Sequence, residues 1–79
     1  MKQIKPGQRY KHFKGGKYTI VDVARDSETM EEVVVYKGEY NSSEFGPNPV
    51  WVRPVDNFCG QKEIDGKIIE RYELIEDTE

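Results

Sequence analysis

The stretch ARDSETMEEVVVY, residues 24–36, decides the fold class because a helix signal and a strand signal meet inside it. Thr29, followed three residues later by Glu32, fits a helix capping box, which predicts a helix running into the valines. Three valines and a tyrosine in succession favour a strand instead, since β-branched side chains lose rotamer freedom in a helix. We therefore predict a strand over residues 32–40 and a connecting loop over residues 26–30.

Upstream of this stretch, two glycines separate a pair of strand-prone runs, residues 8–14 and residues 17–25. Because glycine adopts positive φ without steric cost, Gly15-Gly16 predicts a tight β-hairpin. In the second run Val21 and Val23 alternate with a polar residue, so we expect both valines to face the core.

Downstream, turn and strand signals continue to alternate. We predict a loop over residues 41–49, followed by a strand over residues 50–53 that ends at Pro54. A helical or 3₁₀ turn near residues 55–60 and a last strand over residues 67–75 should follow. Asp65-Gly66, just before the last strand, is the sequence signal of a type I′ hairpin.

Five or six short strands with hairpin turns in 79 residues predict an all-β fold, a small antiparallel barrel. Closure into a barrel suits this length because it removes exposed sheet edges. An SH3-like barrel is the first choice and an OB-like barrel the alternative. We expect a single domain over residues 1–79, ordered over about residues 7–75, with frayed ends.

Charge is distributed unevenly along the chain. The first 21 residues hold six basic side chains and no acidic one, whereas the whole chain has a net charge of −3. Either the basic strands lie beside acidic ones and are neutralised, or they form a local patch for RNA or DNA.

The sequence also indicates in which cellular compartment the protein is located. Cys59 is the only cysteine, so no internal disulfide can form, and a small secreted domain would normally need several. No stretch resembles a signal peptide or approaches the ~20 apolar residues of a membrane span. We predict a cytoplasmic protein without membrane contact.

Catalytic and metal-binding patterns are missing from the sequence. His12 and Cys59 are the only residues of their types and lie far apart, without the paired spacing of a metal site. No nucleophile motif or phosphate-binding loop is present. We therefore predict no enzyme activity, no metal and no cofactor.

The best candidates for binding are aromatic and arginine residues on the third and fourth predicted strands. Trp51 and Arg53 are two residues apart and should project from one strand face, near Tyr36 and Tyr40. Such a surface can hold a peptide or a base. A lone tryptophan in a small domain is equally often part of the core, and both interpretations stay open.

Further candidates lie on the first strand and in the loop after the second. His12 either makes a polar contact in an aromatic groove or bonds to that loop, at Glu28 or Thr29. Ser27, Glu28 and Thr29 either stabilise the turn through bonds to backbone amides or form the rim of a binding surface. The second interpretation would need Arg25 or Arg53 in contact with Glu28.

Several blocks of this sequence resemble one small bacterial family. The blocks are YKHFKGGKYTIVDVARDSET at residues 10–29, VVYKGEY at 34–40, WVRPVDNF at 51–58 and DGKIIERYELI at 65–75. They are similar to the pattern of the domain of unknown function DUF1653, over about residues 7–75. The resemblance implies an SH3-like barrel and no established activity.

The chain departs from that family's usual pattern at three positions. Asp26 stands where histidine is usual, Asn57 where methionine is usual, and Tyr72 where phenylalanine is common. Chemistry that needs a pair of histidines is therefore not expected. The functional hypothesis is a non-catalytic binding module for a protein segment, and the alternative is a module that contacts RNA or DNA through its basic N-terminal strands.

Overall fold

The computed structural model describes residues 4–77. In this part of the chain the elements are β1 (Arg9–His12), β2 (Lys17–Arg25), β3 (Glu32–Gly38), β4 (Asn41–Ser42), β5 (Gly46–Pro47), β6 (Val50–Pro54), α1 (Val55–Phe58), β7 (Gln61–Ile64), β8 (Lys67–Glu70) and β9 (Tyr72–Glu76). The prediction of an all-β fold with one helical turn after residue 54 is confirmed. The strands are more numerous than the five or six expected, since short ribbons form in addition to the main sheet.

The main sheet is antiparallel and has the strand order β6-β3-β2-β1-β9. Two small ribbons, β4 with β5 and β7 with β8, lie outside it. The prediction of a closed barrel is not met by the hydrogen bonding of residues 4–77, because β6 and β9 remain the two edges of an open sheet. Side chains bridge these edges instead: the Arg53 guanidinium of β6 lies 5.6 Å from the centroid of the Tyr72 ring of β9.

The valines of residues 24–36 form a strand, β3, and not the helix that the capping-box pattern predicts. The Thr29 hydroxyl accepts a hydrogen bond from the Glu31 amide at 3.2 Å, which closes a turn rather than a capping box. Met30 has a φ of 66°, in the left-handed region, so a helix cannot run through it. The predicted loop over residues 26–30 is confirmed.

A β-bulge in β2 corrects the expectation for Val21. The register of β2 against β3 shifts between Ile20 and Asp22, which inserts one extra residue and reverses the alternation of side chains. Ile20 is therefore buried in the core, whereas Val21 is 44% exposed. Beyond the bulge Val23 is half-buried and pairs with the buried Val34, as expected.

The predicted last strand, residues 67–75, is two strands with different partners. β8 pairs with β7 around a hairpin in which Asp65 (φ 51°) and Gly66 (φ 78°) both have positive φ, as a type I′ turn requires. At Arg71 the chain leaves this ribbon: its amide donates to the Gly60 carbonyl at 3.0 Å, and its carbonyl accepts from the Phe13 amide at 3.0 Å. β9 then pairs with β1.

The core is small and mostly aromatic. Its buried apolar side chains are Tyr10, Ile20, Val34, Tyr36, Phe58 and Tyr72. The single turn of α1 places Phe58 parallel to the Tyr72 ring, with centroids 4.1 Å apart, and edge-on to Tyr10 at 5.2 Å. Buried phenols need hydrogen-bond partners, and Tyr10 donates to the Gln8 side-chain carbonyl at 3.0 Å.

The basic N-terminal segment lies beside acidic side chains of β9 and of the chain just after β3. β1 sits between β2 and β9, and Arg9 forms ion pairs with Glu39 at 2.6 Å and with Glu76 at 3.1 Å. The hydrogen bonds from Arg9 lower the pKa of Glu39 to about 2. This arrangement agrees with mutual neutralisation, the first of the two interpretations of the charge asymmetry.

Candidate functional site

An open hollow of about 350 Å³ lies on the core side of the main sheet, where the edges β6 and β9 approach each other. We call it the aromatic groove. Its lining consists of His12, Lys14, Gly16, Tyr18, Tyr36, Tyr40, Trp51, Arg53 and Tyr72. Five of these nine residues carry large aromatic rings and none carries a carboxylate.

The register of the sheet brings the aromatic side chains together. Tyr36 of β3 is paired with Trp51 of β6, and Tyr18 of β2 is paired with Gly38. A Cβ at Gly38 would lie 2.3 Å from the Tyr40 ring, so only glycine lets this ring fold back over the sheet. The Tyr40 and Tyr18 rings then meet edge to face, with centroids 5.9 Å apart.

Trp51 packs against the core and also lines the groove, so the core interpretation is met in part and the binding interpretation stays a prediction. It is half-buried, packs against the core cluster and donates from Nε1 to the Tyr40 hydroxyl at 3.1 Å. Val52, the next residue of the strand, is 64% exposed on the opposite face. The expected alternation of Trp51 and Arg53 against Val52 is therefore confirmed.

Arg53 is held between the two sheet edges by three different contacts. Its Nε donates to the Tyr36 hydroxyl at 3.1 Å, its Nη1 donates to Asn57 Oδ1, and its guanidinium stands over the Tyr72 ring. Two of the departures from the family pattern, Asn57 and Tyr72, thus meet at this one arginine. Within residues 4–77 its Nη2 has no hydrogen-bond partner.

The phenols of Tyr18 and Tyr72 in the groove remain protonated at neutral pH. Burial raises the pKa of Tyr18 to about 12 and also raises the pKa of Tyr72. The hydroxyls of Tyr36 and Tyr72 share a hydrogen bond of 3.3 Å in which either oxygen can donate. The groove therefore offers neutral hydroxyls, one indole N–H and cationic side chains.

His12 sits at the end of the groove and bonds within its own turn. Its Nδ1 accepts a hydrogen bond from the Lys14 amide at 3.2 Å, and its ring lies edge-on to Tyr72 at 4.8 Å. The suggested bond to Glu28 or Thr29 does not form in the described part of the chain. Since Nδ1 is an acceptor, the neutral imidazole carries its proton on Nε2.

We expect His12 to make the free energy of unfolding rise with pH. Burial, aided by the positive charges of Arg53, Lys14 and Arg71, lowers the pKa of His12 from its ordinary 6.5. Between the lowered pKa and 6.5 the unfolded chain binds a proton that the folded chain does not, so stability is complete above 6.5 and falls as the pH decreases through this window.

The measurement is urea unfolding of the wild type and of His12→Gln at about pH 7.5 and about pH 5.5, on either side of the ordinary histidine pKa of 6.5. We expect the wild type to lose more stability than the variant between the two conditions. Carboxylates contribute equally to both proteins and cancel in the comparison. An identical loss in the two proteins would show that His12 titrates normally.

A second hollow, of about 400 Å³, adjoins the aromatic groove. We call it the basic hollow. It is lined by His12, Phe13, Lys14, Arg53, Lys62, Glu63, Ile64 and Arg71. Four lysine or arginine side chains face a single carboxylate, and three residues, His12, Lys14 and Arg53, border both hollows.

The remaining predicted site residues lie at the end of β2 and in the loop that follows it, and they do not line the groove. Asp26 Oδ1 accepts hydrogen bonds from the amides of Glu28 (2.8 Å) and Thr29 (3.3 Å), while Arg25 Nη1 donates to the Met30 carbonyl at 2.6 Å. The anticipated contact of Glu28 with Arg25 or Arg53 does not form within residues 4–77. The carboxylate that fixes this loop is that of Asp26, the third departure from the family pattern.

The structure thus divides the candidate residues into two groups. The groove brings together His12, Tyr36, Tyr40, Trp51 and Arg53, whereas Arg25 ends β2 and the loop after it holds Ser27, Glu28 and Thr29. Sequence reasoning missed four groove residues: Lys14, Gly16, Tyr18 and Tyr72. Tyr18 could have been found from its place on the core side of β2, whereas Tyr72 joins the groove only through the pairing of β9 with β1.

Two kinds of feature are absent from residues 4–77. No group of three or more His, Cys, Asp or Glu side chains there is placed to hold a metal ion. In the same range, no helix has the length and apolar character needed to cross a membrane.

Comparison with known proteins identifies relatives of this chain. Residues 8–74 match a family described as "Protein of unknown function (DUF1653)". A crystal structure of a protein belonging to DUF1653 from Bordetella bronchiseptica is similar, with a TM-score of 0.80 and 26% sequence identity. That similarity covers 98% of this chain and 94% of the Bordetella chain. No curated protein matches significantly.

Proposed function

The chain belongs to the DUF1653 family, and we propose that it is a non-catalytic binding module whose aromatic groove holds an extended segment of a protein partner. The observation that carries this proposal is the composition of the groove. Tyr18, Tyr40 and Trp51 present ring surface at its rim, while hydroxyl and N–H donors lie between the rings. Rigid aromatic side chains beside an arginine are the residues that contribute most to protein interfaces.

The side chains of the groove support binding rather than catalysis. His12 is the only residue of its lining that titrates near neutrality, and its Nδ1 is used by the Lys14 amide. No carboxylate lines the groove to orient the imidazole or to accept a proton from it. The groove is also shallow and open, which suits a chain segment better than an enclosed small substrate.

The same proposal includes a finer description of the fold and the compartment. In the order β6-β3-β2-β1-β9, the strands β1, β2, β3 and β6 form a four-stranded meander, and the fifth strand, β9, returns beside β1. This order supports an SH3-like fold, with β6 and β9 meeting through side chains rather than backbone bonds. A bacterial cytoplasm is the proposed location, and a single cysteine in a chain of 79 residues is consistent with it.

Contact with RNA or DNA is a second proposal with less support. The basic hollow favours it, because Lys14, Lys62 and Arg71 are placed together. Against it, Arg9 of the basic N-terminal segment is already bound to Glu39 and Glu76. The net charge of −3 also opposes a long polyanion.

Peptide display with the full chain tests the proposed function. Random peptides are selected on the wild type and titrated against it while the emission of Trp51, the only tryptophan, is recorded. We expect the selected peptides to shift this emission and to lose affinity roughly tenfold or more with Tyr40→Ala, as for an interface hot spot.

Two further variants sharpen the result. Gly38→Ala should weaken binding without removing a groove side chain, because its methyl group displaces the Tyr40 ring. Val52→Thr, on the opposite face of β6, is the matched control and should bind like the wild type. If selection yields no peptide, or if Tyr40→Ala and Val52→Thr bind equally well, the groove is not the docking site.

A further inference from the structure

We propose that the segment held by the aromatic groove carries an acidic residue, whose carboxylate is bound by Arg53, Lys14 and His12 where the groove meets the basic hollow. This inference rests on the proposed function and adds to it the chemistry of the ligand. These three residues are the ones that border both hollows. They come from β6 and from the β1–β2 hairpin, so a ligand passing from one hollow to the other must cross them.

Hydrogen-bond donors at this junction outnumber acceptors. In the described part of the chain Arg53 Nη2 has no acceptor, and the Lys14 ammonium contacts only the face of the Phe13 ring, at 5.8 Å. Neutral His12 carries its proton on Nε2, because Nδ1 accepts from the backbone. Arg71 Nε, in the basic hollow, is buried without a hydrogen-bond partner within residues 4–77.

The positive charges at the junction also lack compensation. By contrast, Arg9 of β1 forms ion pairs with Glu39 at 2.6 Å and with Glu76 at 3.1 Å. At the junction no such ion pair forms within residues 4–77, and Glu63 is the one carboxylate in the lining of the basic hollow. A ligand that brings negative charge and acceptor oxygens completes this arrangement, and a carboxylate supplies both.

A carboxylate on a peptide fits these residues better than a nucleic-acid strand. The cations that line the two hollows converge at one junction, whereas the whole chain has a net charge of −3. A strand that carries a phosphate on every nucleotide would extend beyond the junction toward acidic side chains and be repelled. An extended peptide can place one carboxylate at the junction and apolar side chains against the aromatic rings.

Two matched peptide pools test the inference. Both contain random nine-residue peptides with blocked ends; the central residue is Asp or Glu in one pool and Asn or Gln in the other. We expect the wild type to bind the acidic pool roughly tenfold more tightly, since hydrogen bonds to a charged carboxylate are stronger than hydrogen bonds to a neutral amide. Trp51 emission reports binding of both pools.

Variants connect this preference to the junction. Arg53→Gln and Lys14→Gln should each reduce it to roughly threefold or less, as one of two cations is lost. Lys14→Gln tests the inference even if Arg53→Gln fails to fold. The Lys14 side chain makes no hydrogen bond within residues 4–77, so its replacement should leave the fold intact. Arg25→Gln removes an arginine outside both hollows and should keep the full preference.

The outcomes separate this inference from the proposed function. Equal binding of the two pools would overturn the inference and leave the peptide groove intact. Binding of neither pool would overturn both. A twelve-nucleotide single-stranded RNA that shifts Trp51 emission at lower concentration than the acidic pool, and that loses this effect in Arg53→Gln, would replace the acidic peptide with a nucleic acid.

Discussion

Val34→Lys is expected to leave the chain unfolded in dilute buffer. Val34 is 0% exposed, at the centre of β3, and is paired with Val23 on one side and Arg53 on the other. A lysine there would put an ammonium into the core beside an arginine, which costs several kcal/mol because the buried charge loses its hydration. A chain of 79 residues has a total stability of only roughly 4–12 kcal/mol.

Val35→Lys is the matched control on the next residue of the same strand. Val35 is half-buried on the opposite face and is paired with Asp22 and Val52, so the new ammonium has water and a carboxylate nearby. We expect a change below about 1 kcal/mol. Far-UV circular dichroism and urea titration of both variants give the measurement. A folded Val34→Lys, or an unfolded Val35→Lys, would mean that β3 has the other register, because a slip of one residue exchanges its two faces.

Phe58→Ala is expected to lower the free energy of unfolding by about 3–5 kcal/mol, which is the range for an aromatic side chain removed from a core. Phe58 is 0% exposed and contacts the rings of Tyr10, Tyr36 and Tyr72. α1 contributes no other buried side chain. The variant therefore removes the one fully buried side chain of the helical turn, leaves only the partly buried Val55 packed against the core, and opens a cavity between three phenols.

Phe45→Ala makes the same chemical change at a side chain that is 62% exposed. Its ring touches the edge of Trp51 at 5.4 Å, so we expect a loss below about 1 kcal/mol. Urea unfolding followed by circular dichroism compares the two variants. If they lost similar stability, the stack of Phe58 on Tyr72 would not be the centre of the core.

The Phe58 substitution also bears on the groove. Tyr72 is buried against Phe58 on one side, while its ring lies under Arg53 and its hydroxyl is bonded to that of Tyr36. Loosening the stack would shift the ring on which Arg53 rests. The small core and the proposed binding junction therefore share side chains. We expect a substitution in the core to change peptide affinity, and a substitution at the junction to change stability.

Much of the candidate site could be predicted from the sequence, because it depends on the alternation of side chains between the two faces of a strand. Trp51 and Arg53 face the groove because they are two residues apart on a strand, and Tyr36 is paired with Trp51 on the neighbouring strand. Tyr72 could not be placed in the same way. Its strand pairs with β1, and the paired residues His12 and Tyr72 are sixty positions apart in the sequence, beyond the reach of any local pattern.

The sequence by itself determined the elements that depend on short-range physics. Consecutive β-branched residues made β3 a strand despite a capping box, and Asp65-Gly66 made a type I′ turn because both residues adopt positive φ. The tertiary structure alone decided that the chain changes partner at Arg71, that a bulge turns Val21 outward and that the sheet edges meet through Arg53 and Tyr72. These outcomes depend on which distant strands can satisfy their backbone groups while burying the aromatic core, and that choice is made by long-range packing.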